Sequence, residues 1–519
     1  MRAEDGAHDW QAAARRELPL GVVRVVTRDE ALVDRALPTG YLPSRLLVST
    51  LLPLDHPART TLSGLVAELG WALEPDARPL RAGGSRRLDE PPEVTKERLA
   101  RYPWAGGVIG VERLRLVRAT PASTTPDAWD VLRLARARGV ELPGVGLEHV
   151  GFLTPFHSSN PFHSSNPFHS SNPFHSSNPF LGSPVGEYGI PGSGGRQVVA
   201  YTGPDPAAGH PTPAGSAVVA VVDTGCGAHP WLDPVVDTTA FGGLGRTDPD
   251  DDPERHPDQR GAFDGVIDDG SGHGTFIAGL VHQAAPHARI APVRITGSDA
   301  LWEEQDLLDV LLGIAERVEG GTRLDVLNLS LGYYHETPEP GAFDITLAEL
   351  LLRLRRLGVV VVCSAGNDST DRPLFPAALG PWNPADGEPW NDPGDGAPLV
   401  SVGALNPNGT VALFSNIGPW VHCFAPGAAV MSTLPAGDPP FAGGLQPVAN
   451  DPRGGLHRAT IDPDDFRGGF GLWSGTSFAA PVVAGMIAAE LQATAGKPSV
   501  EHARAAVATV LARLSARSA

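Results

Sequence analysis

Four short runs, residues 217–222, 324–331, 359–363 and 399–403, are branched and largely apolar, the second carrying Asp325, Asn328 and Ser330. Runs of that kind suit strands buried on both faces, the situation inside a parallel sheet. Between them, residues 274–283, 303–318 and 342–357 have helical periodicity, and 476–491 and 501–514 add two further helices. Strands alternating with helices specify an α/β fold with a doubly wound parallel sheet, whose ligand cleft lies beyond the carboxyl ends of the strands. Asp223 falls at such an end.

Three motifs sit on this frame: Val222-Asp223-Thr224-Gly225, Gly272-His273-Gly274-Thr275, and Gly475-Thr476-Ser477-Phe478-Ala479-Ala480-Pro481. A serine hydroxyl is a poor nucleophile at neutral pH; it needs a base within reach, and the base needs an orienting carboxylate. Ser477 opens an apolar helix, where unpaired N–H groups favour developing negative charge. Thr476 reads as the helix N-cap, and Pro481 removes one helical hydrogen bond just past the first turn. Taken singly, these are a turn aspartate, a helix-start histidine and a capped helix. In the order Asp, His, Ser they resemble the subtilisin-like serine peptidases, the subtilase family, over residues 213–519.

That resemblance implies roles for particular residues. Ser477 is the nucleophile, His273 its base and Asp223 the orienting acid. In Ser364-Ala365-Gly366-Asn367, Asn367 is the oxyanion donor, working with the serine's own N–H. Ser330, Leu331 and Gly332 form the edge that pairs with a peptide as an added strand, with Ala365 and Gly366 as the opposite wall of the primary specificity pocket. Tyr333 and Tyr334 are expected to narrow the cleft, while 414–418 and 425–427 match structural segments of the family. The implied activity is that of a serine endopeptidase working through an acyl-enzyme. Two alternatives stay open: a catalytically silent binding protein on the same fold, and ester hydrolysis or acyl transfer by the same triad.

A chain of 519 residues exceeds a typical single core. Residues 1–150 read as a small N-terminal α/β domain, with strands at 21–26, 45–50 and 107–111 and helices at 61–73 and 127–138. The resemblance implies a propeptide-like segment that assists folding and inhibits the enzyme; an accessory domain of another purpose is the alternative. Residues 151–212 form a linker, in which Pro155-Phe156-His157-Ser158-Ser159-Asn160 recurs from 161, 167 and 173. One proline and one asparagine per repeat break both helix and ladder. Its histidines, His157, His163, His169 and His175, would hold a metal only loosely. Self-cleavage within 155–215 is expected.

A net charge of −19 argues against nucleic acid or an anionic membrane as partner and leaves a polypeptide substrate. Cys226, Cys363 and Cys423 make no disulfide framework and read as small buried hydrophobes. The first residues lack a basic and an apolar signal region, and no run approaches a membrane span. A cytoplasmic location is expected, with export by a signal-free route left open. No cofactor is required and no metal ligands are assigned. The acidic run from Asp248 through Asp258 reads as a solvated loop, with a structural calcium ion as the alternative. Proline-rich insertions at 381–398 and 435–465 lengthen surface loops.

Overall fold

The computed structural model describes residues 24–25, 39–76, 86–153, 196–209, 215–259, 267–336, 345–381, 392–437, 441, 448–449, 458–459, 466–492 and 498–517. The hexapeptide repeat with its four histidines lies outside the described residues, as do most of the linker and of both proline-rich insertions.

The N-terminal part is built from β1 (Gly40–Ser49), α1 (Pro57–Glu68), β2 (Trp71–Pro75), α2 (Pro92–Arg101), β3 (Ile109–Arg118), α3 (Ala128–Ala137) and β4 (Val145–Leu153). Its strands run antiparallel in the order β4-β1-β3-β2. One face packs Leu46, Val48 and Leu147 against Leu62 and Leu65 of α1 and Trp129 and Leu132 of α3. The helix expected at 61–73 lies earlier. Pro57 opens it, and the His56 ring accepts the Ala58 N–H. Gly70, at φ +77°, then turns the chain, so Trp71 and Leu73 belong to a strand.

The remainder contributes β5 (Val218–Asp223), α4 (His273–Ala284), β6 (Arg289–Arg294), β7 (Leu301–Glu303), α5 (Glu304–Glu319), β8 (Val326–Leu329), β9 (Leu331–Gly332), α6 (Ile345–Arg356), β10 (Val360–Ser364), β11 (Leu399–Leu405), β12 (Cys423–Pro426), α7 (Thr476–Gln492) and α8 (Val500–Arg517). The central sheet runs β12-β11-β10-β8-β5-β6, with every pairing parallel. Strand β5 shows why its sequence is apolar up to Asp223. Val218, Ala220 and Val222 join the core with α5 and α6, while Val219 and Val221 join the core with α4, α7 and α8. This is the doubly wound sheet expected from the alternation of runs. The edge strands β6 and β12 were not anticipated, because Pro292 and Pro426 interrupt their apolar character.

The two parts share one core. The second face of the N-terminal sheet, with Leu47, Ile109 and Val111, packs in the same cluster as α5 and α6. Strand β4 then runs on past its own sheet: residues Val150, Gly151 and Phe152 pair antiparallel with β7, and Leu153 and Phe152 pair with Leu331 and Gly332 of β9.

Candidate active site

Strand β5 delivers Asp223 to the carboxyl edge of the central sheet, fully buried. Its Oδ1 lies 2.7 Å from Nδ1 of His273 and accepts the Thr224 N–H at 2.8 Å. His273 opens α4 behind Gly272, whose φ is +81°. Backbone packing sets the approach. A Cβ on Gly274 would stand 2.1 Å from the Gly225 carbonyl oxygen, so only glycine lets the helix start touch the loop that follows Asp223. The imidazole rests against Trp473 and Phe478, with ring centroids 5.6 and 5.2 Å away. With Nδ1 committed to the carboxylate, Nε2 carries the lone pair, and it has no hydrogen-bond partner among the described residues. A nitrogen held that way is ready to accept a proton.

Ser477, the second residue of α7, is buried in the same region. Its hydroxyl donates to the Ser330 carbonyl at 3.2 Å rather than to His273. Asp223 and His273 are therefore joined directly, while the Ser477 hydroxyl is engaged with Ser330 and not with Nε2. Thr476 is not the N-cap expected from sequence: it is already helical, and its side chain ties the helix to another segment. Thr476 Oγ1 accepts the Gly366 N–H at 2.9 Å and donates to Asn367 Oδ1 at 2.9 Å, while the Thr476 N–H also donates to that oxygen at 2.9 Å. Pro481 has no N–H for the Ser477 carbonyl four residues back. Ser330 Oγ supplies the missing donor at 2.8 Å.

Two donors on Asn367 Oδ1 fix which way its amide points, leaving the NH₂ group as its donating end. The loop carrying it is braced by Asn416, whose Oδ1 accepts the Asp368 and Thr370 N–H groups and whose Nδ2 donates to the Ala365 carbonyl and the Tyr334 hydroxyl. Ala365 is buried, and Gly366 sits at φ +98°, where a Cβ would stand 2.4 Å from Asn416 Nδ2. Tyr333 and Tyr334, expected to narrow the cleft, are both buried. Tyr334 donates to Asp368 Oδ2 at 2.7 Å, and Tyr333 stacks on His149 with ring centroids 4.9 Å apart.

The edge expected to receive substrate, Ser330-Leu331-Gly332, is paired through Leu331 and Gly332 with β4 of the same chain. Beside it, His149 of β4 bridges two carboxylates, with Nδ1 2.6 Å from Glu304 and Nε2 2.8 Å from Glu336. Burial opposes charge on this ring, but the two carboxylates outweigh it and hold His149 up at about 10. Arg113 reaches across as well, pairing with Glu148 of β4 and, at 2.8 Å, with Glu303 of β7. Among the described residues, His149, His335 and Glu336 alone form a cluster within metal-ligand range. Within it, the 2.8 Å separation of His149 Nε2 from Glu336 is that of a hydrogen bond.

In the acidic run, Asp248 and Asp250 are exposed and Asp251 and Asp252 half-buried. Asp248 Oδ1 accepts the Asp250 N–H, Asp252 Oδ1 accepts the Glu254 N–H, and Asp251 pairs with Arg246 at 3.6 Å. These carboxylates hold their own loop. The loop in turn drives Glu254 inward, 3 % exposed, beneath the Asp223–His273 pair. Burial pushes its carboxyl up to about 7; the Thr224 and Thr275 hydroxyls oppose that, and the Asp252 and Asp223 charges add to it. Sequence reasoning missed Glu254 because it continues a run of solvated acids. No helix among the described residues is long and apolar enough to cross a membrane.

Comparison with known proteins gives a match between residues 215–515 and a family model described as the subtilase family. The chain is 28% identical over 232 residues to the major intracellular serine protease of Bacillus subtilis, covering 42% of this chain and 60% of that one. It is 28% identical over 235 residues to an intracellular serine protease of Paenibacillus polymyxa, covering 42% and 59%. The chain thus spans about 60% of the length of these curated relatives. Among solved structures, fervidolysin from Fervidobacterium pennivorans, described as a keratinolytic enzyme related to subtilisin, aligns with a TM-score of 0.42 at 21% identity, covering 88% of this chain and 56% of that one.

Proposed function

The chain belongs to the subtilase family, and from that premise we propose that it is a serine endopeptidase that hydrolyses polypeptides through an acyl-enzyme. Ser477 Oγ attacks the scissile carbonyl, and His273 Nε2 takes its proton and returns it to the leaving amine. Asp223 keeps the imidazole in the tautomer with Nδ1–H and stabilises its charged form. Negative charge developing on the carbonyl oxygen is met by the Asn367 amide and the Ser477 N–H at the start of α7. The observation that carries this reading is the 2.7 Å Asp223–His273 bond with Nε2 left unpartnered. Hydrolysis of an unfolded protein by wild type, absent in Ser477→Ala, is the expected result. Undiminished hydrolysis by that variant would refute the assignment.

The N-terminal domain acts, in the same reading, as a built-in inhibitor. Its strand β4 occupies the β9 edge that an extended substrate would use, in the antiparallel sense such a peptide adopts. Self-cleavage in the segment after Leu153 would release the covalent tie between the two parts. A full-length chain that gains activity when docking is weakened supports this role; one whose activity is unchanged contradicts it.

A further inference from the structure

Beneath the Asp223–His273 pair, a chain of hydroxyl groups has fewer hydrogens than acceptors. Thr275 Oγ1 accepts the Gly227 N–H at 2.7 Å, so its own hydrogen goes to Glu254 Oε2, 2.5 Å away. Thr224 Oγ1 accepts the Gly274 N–H at 2.7 Å and likewise has one hydrogen to give. Two oxygens compete for it: Asp223 Oδ1 at 3.2 Å and Glu254 Oε1, which is closer than an ordinary hydrogen bond. Both cannot be served at once while Glu254 is ionised.

We propose that Glu254 is a positioning residue of the triad, whose protonation state decides, through the Thr224 hydroxyl, how many hydrogen bonds Asp223 receives. When Glu254 is ionised, it takes the Thr224 hydrogen, and Asp223 Oδ1 keeps two donors, His273 Nδ1 and the Thr224 N–H. When Glu254 carries a proton on Oε1, that proton is donated to Thr224 Oγ1. Thr224 then turns its own hydrogen to Asp223 Oδ1, which gains a third donor. No atom is left over in either state. Ionised Glu254 therefore strengthens the hold on a charged imidazole twice, by adding a negative charge beneath the pair and by freeing Asp223 from a competing donor.

The surroundings leave this switch to Glu254 itself. Asp223 faces it from the end of β5, His273 from the start of α4, Cys226 from the loop after β5, and Asp252 from its own loop. Arg294, at the end of β6, lies near through Gly225 but spends its guanidinium on the carbonyls of Arg246, Asp248 and Asp251. No ion pair joins Glu254 to a cation among the described residues. Held at about 7 by burial, the carboxyl titrates where a serine peptidase works.

This inference rests on the peptidase reading above. Glu254→Gln tests it, because its amide nitrogen donates to Thr224 and its oxygen accepts from Thr275, copying the protonated form. Expected is an acid limb of the kcat/KM profile displaced to lower pH by about 1 unit, a lower plateau kcat above neutrality, and an unchanged KM. The downfield proton resonance of the Asp223–His273 bond should shift near neutral pH in wild type and stay fixed in Glu254→Gln. Superimposable profiles and resonances would overturn the proposal while leaving the peptidase reading intact; no Ser477-dependent hydrolysis by wild type would overturn both. If Glu254→Gln fails to fold, Thr224→Val should move the acid limb relative to Thr224→Ser, and identical profiles for that pair would overturn it equally.

Discussion

Asn367 performs two tasks that one substitution can separate. Its oxygen holds the start of α7 through Thr476, and its NH₂ group is the one proposed to meet the oxyanion. Asn367→Asp keeps the acceptor and loses the donor, so we expect a folded protein whose kcat falls by at least ~10²–10³, the size known for losing the same donor in a subtilisin rather than one derived from this chain. A kcat within threefold of wild type, about 0.7 kcal/mol of barrier, would exclude the role. Ser330→Ala tests the helix start. Without Ser330 Oγ the buried Ser477 carbonyl has no donor from Pro481, which should cost about 1–3 kcal/mol in unfolding free energy measured in denaturant. At this scale the Asp223–His273 pair and the Thr476–Asn367 tie were legible in the sequence because their residues sit in short glycine-containing motifs that bring backbone close to backbone. Glu254 was not legible: nothing local distinguishes it from the acids before it, and only the return of α4 over the loop buries it.

Strand β4 makes the corresponding point for whole elements. Val145-Gly146-Leu147-Glu148-His149-Val150-Gly151-Phe152-Leu153 has two glycines and a charged pair at its centre, so it offers no strand signal of its own. Its partners lie elsewhere in the chain: Arg113 for Glu148, Glu304 and Glu336 for His149, and Trp302 for Gly151. A Cβ on Gly151 would stand 2.0 Å from the Trp302 ring. Gly151→Leu should therefore overpack the β4–β7 contact by about 1–3 kcal/mol, weakening docking ~5–150-fold and raising hydrolysis of a small peptide by the full chain. No rise in hydrolysis would count against the inhibitory strand. The His149 bridge gives docking a pH dependence. A free imidazole titrates near about 6.5, and docking raises it to about 10. The stabilisation is complete below about pH 6.5 and is lost as pH rises towards 10. Inhibition should relax on alkalinisation, and His149→Ala should be relaxed already at pH 7. Inhibition that tightens between pH 7 and 10 would contradict the bridge.

At the scale of the molecule, the doubly wound sheet was readable because parallel strands buried on both faces must be largely apolar, as β5 is up to Asp223, β10 up to Ser364 and β8 apart from Asn328. The union of the two parts was not readable, since it depends on an N-terminal sheet face and two helices of the larger part sharing one core. Ion pairs knit the same seam, buried where Arg98 and Arg101 meet Glu349 at 3.8 and 3.0 Å and partly exposed where Arg356 meets Glu97 at 2.6 Å. A cleaved chain held together by that seam should still run as one particle at neutral pH, and intact-mass spectra should show the cut in wild type but not in Ser477→Ala. The central claim, that this seam closes over a working Asp223–His273–Ser477 triad, is tested most directly by fluorophosphonate labelling mapped to peptides. The predicted result is an adduct on Ser477 of wild type, formed much more slowly in His273→Ala. An adduct at any other residue, or equal labelling without the imidazole, would contradict it.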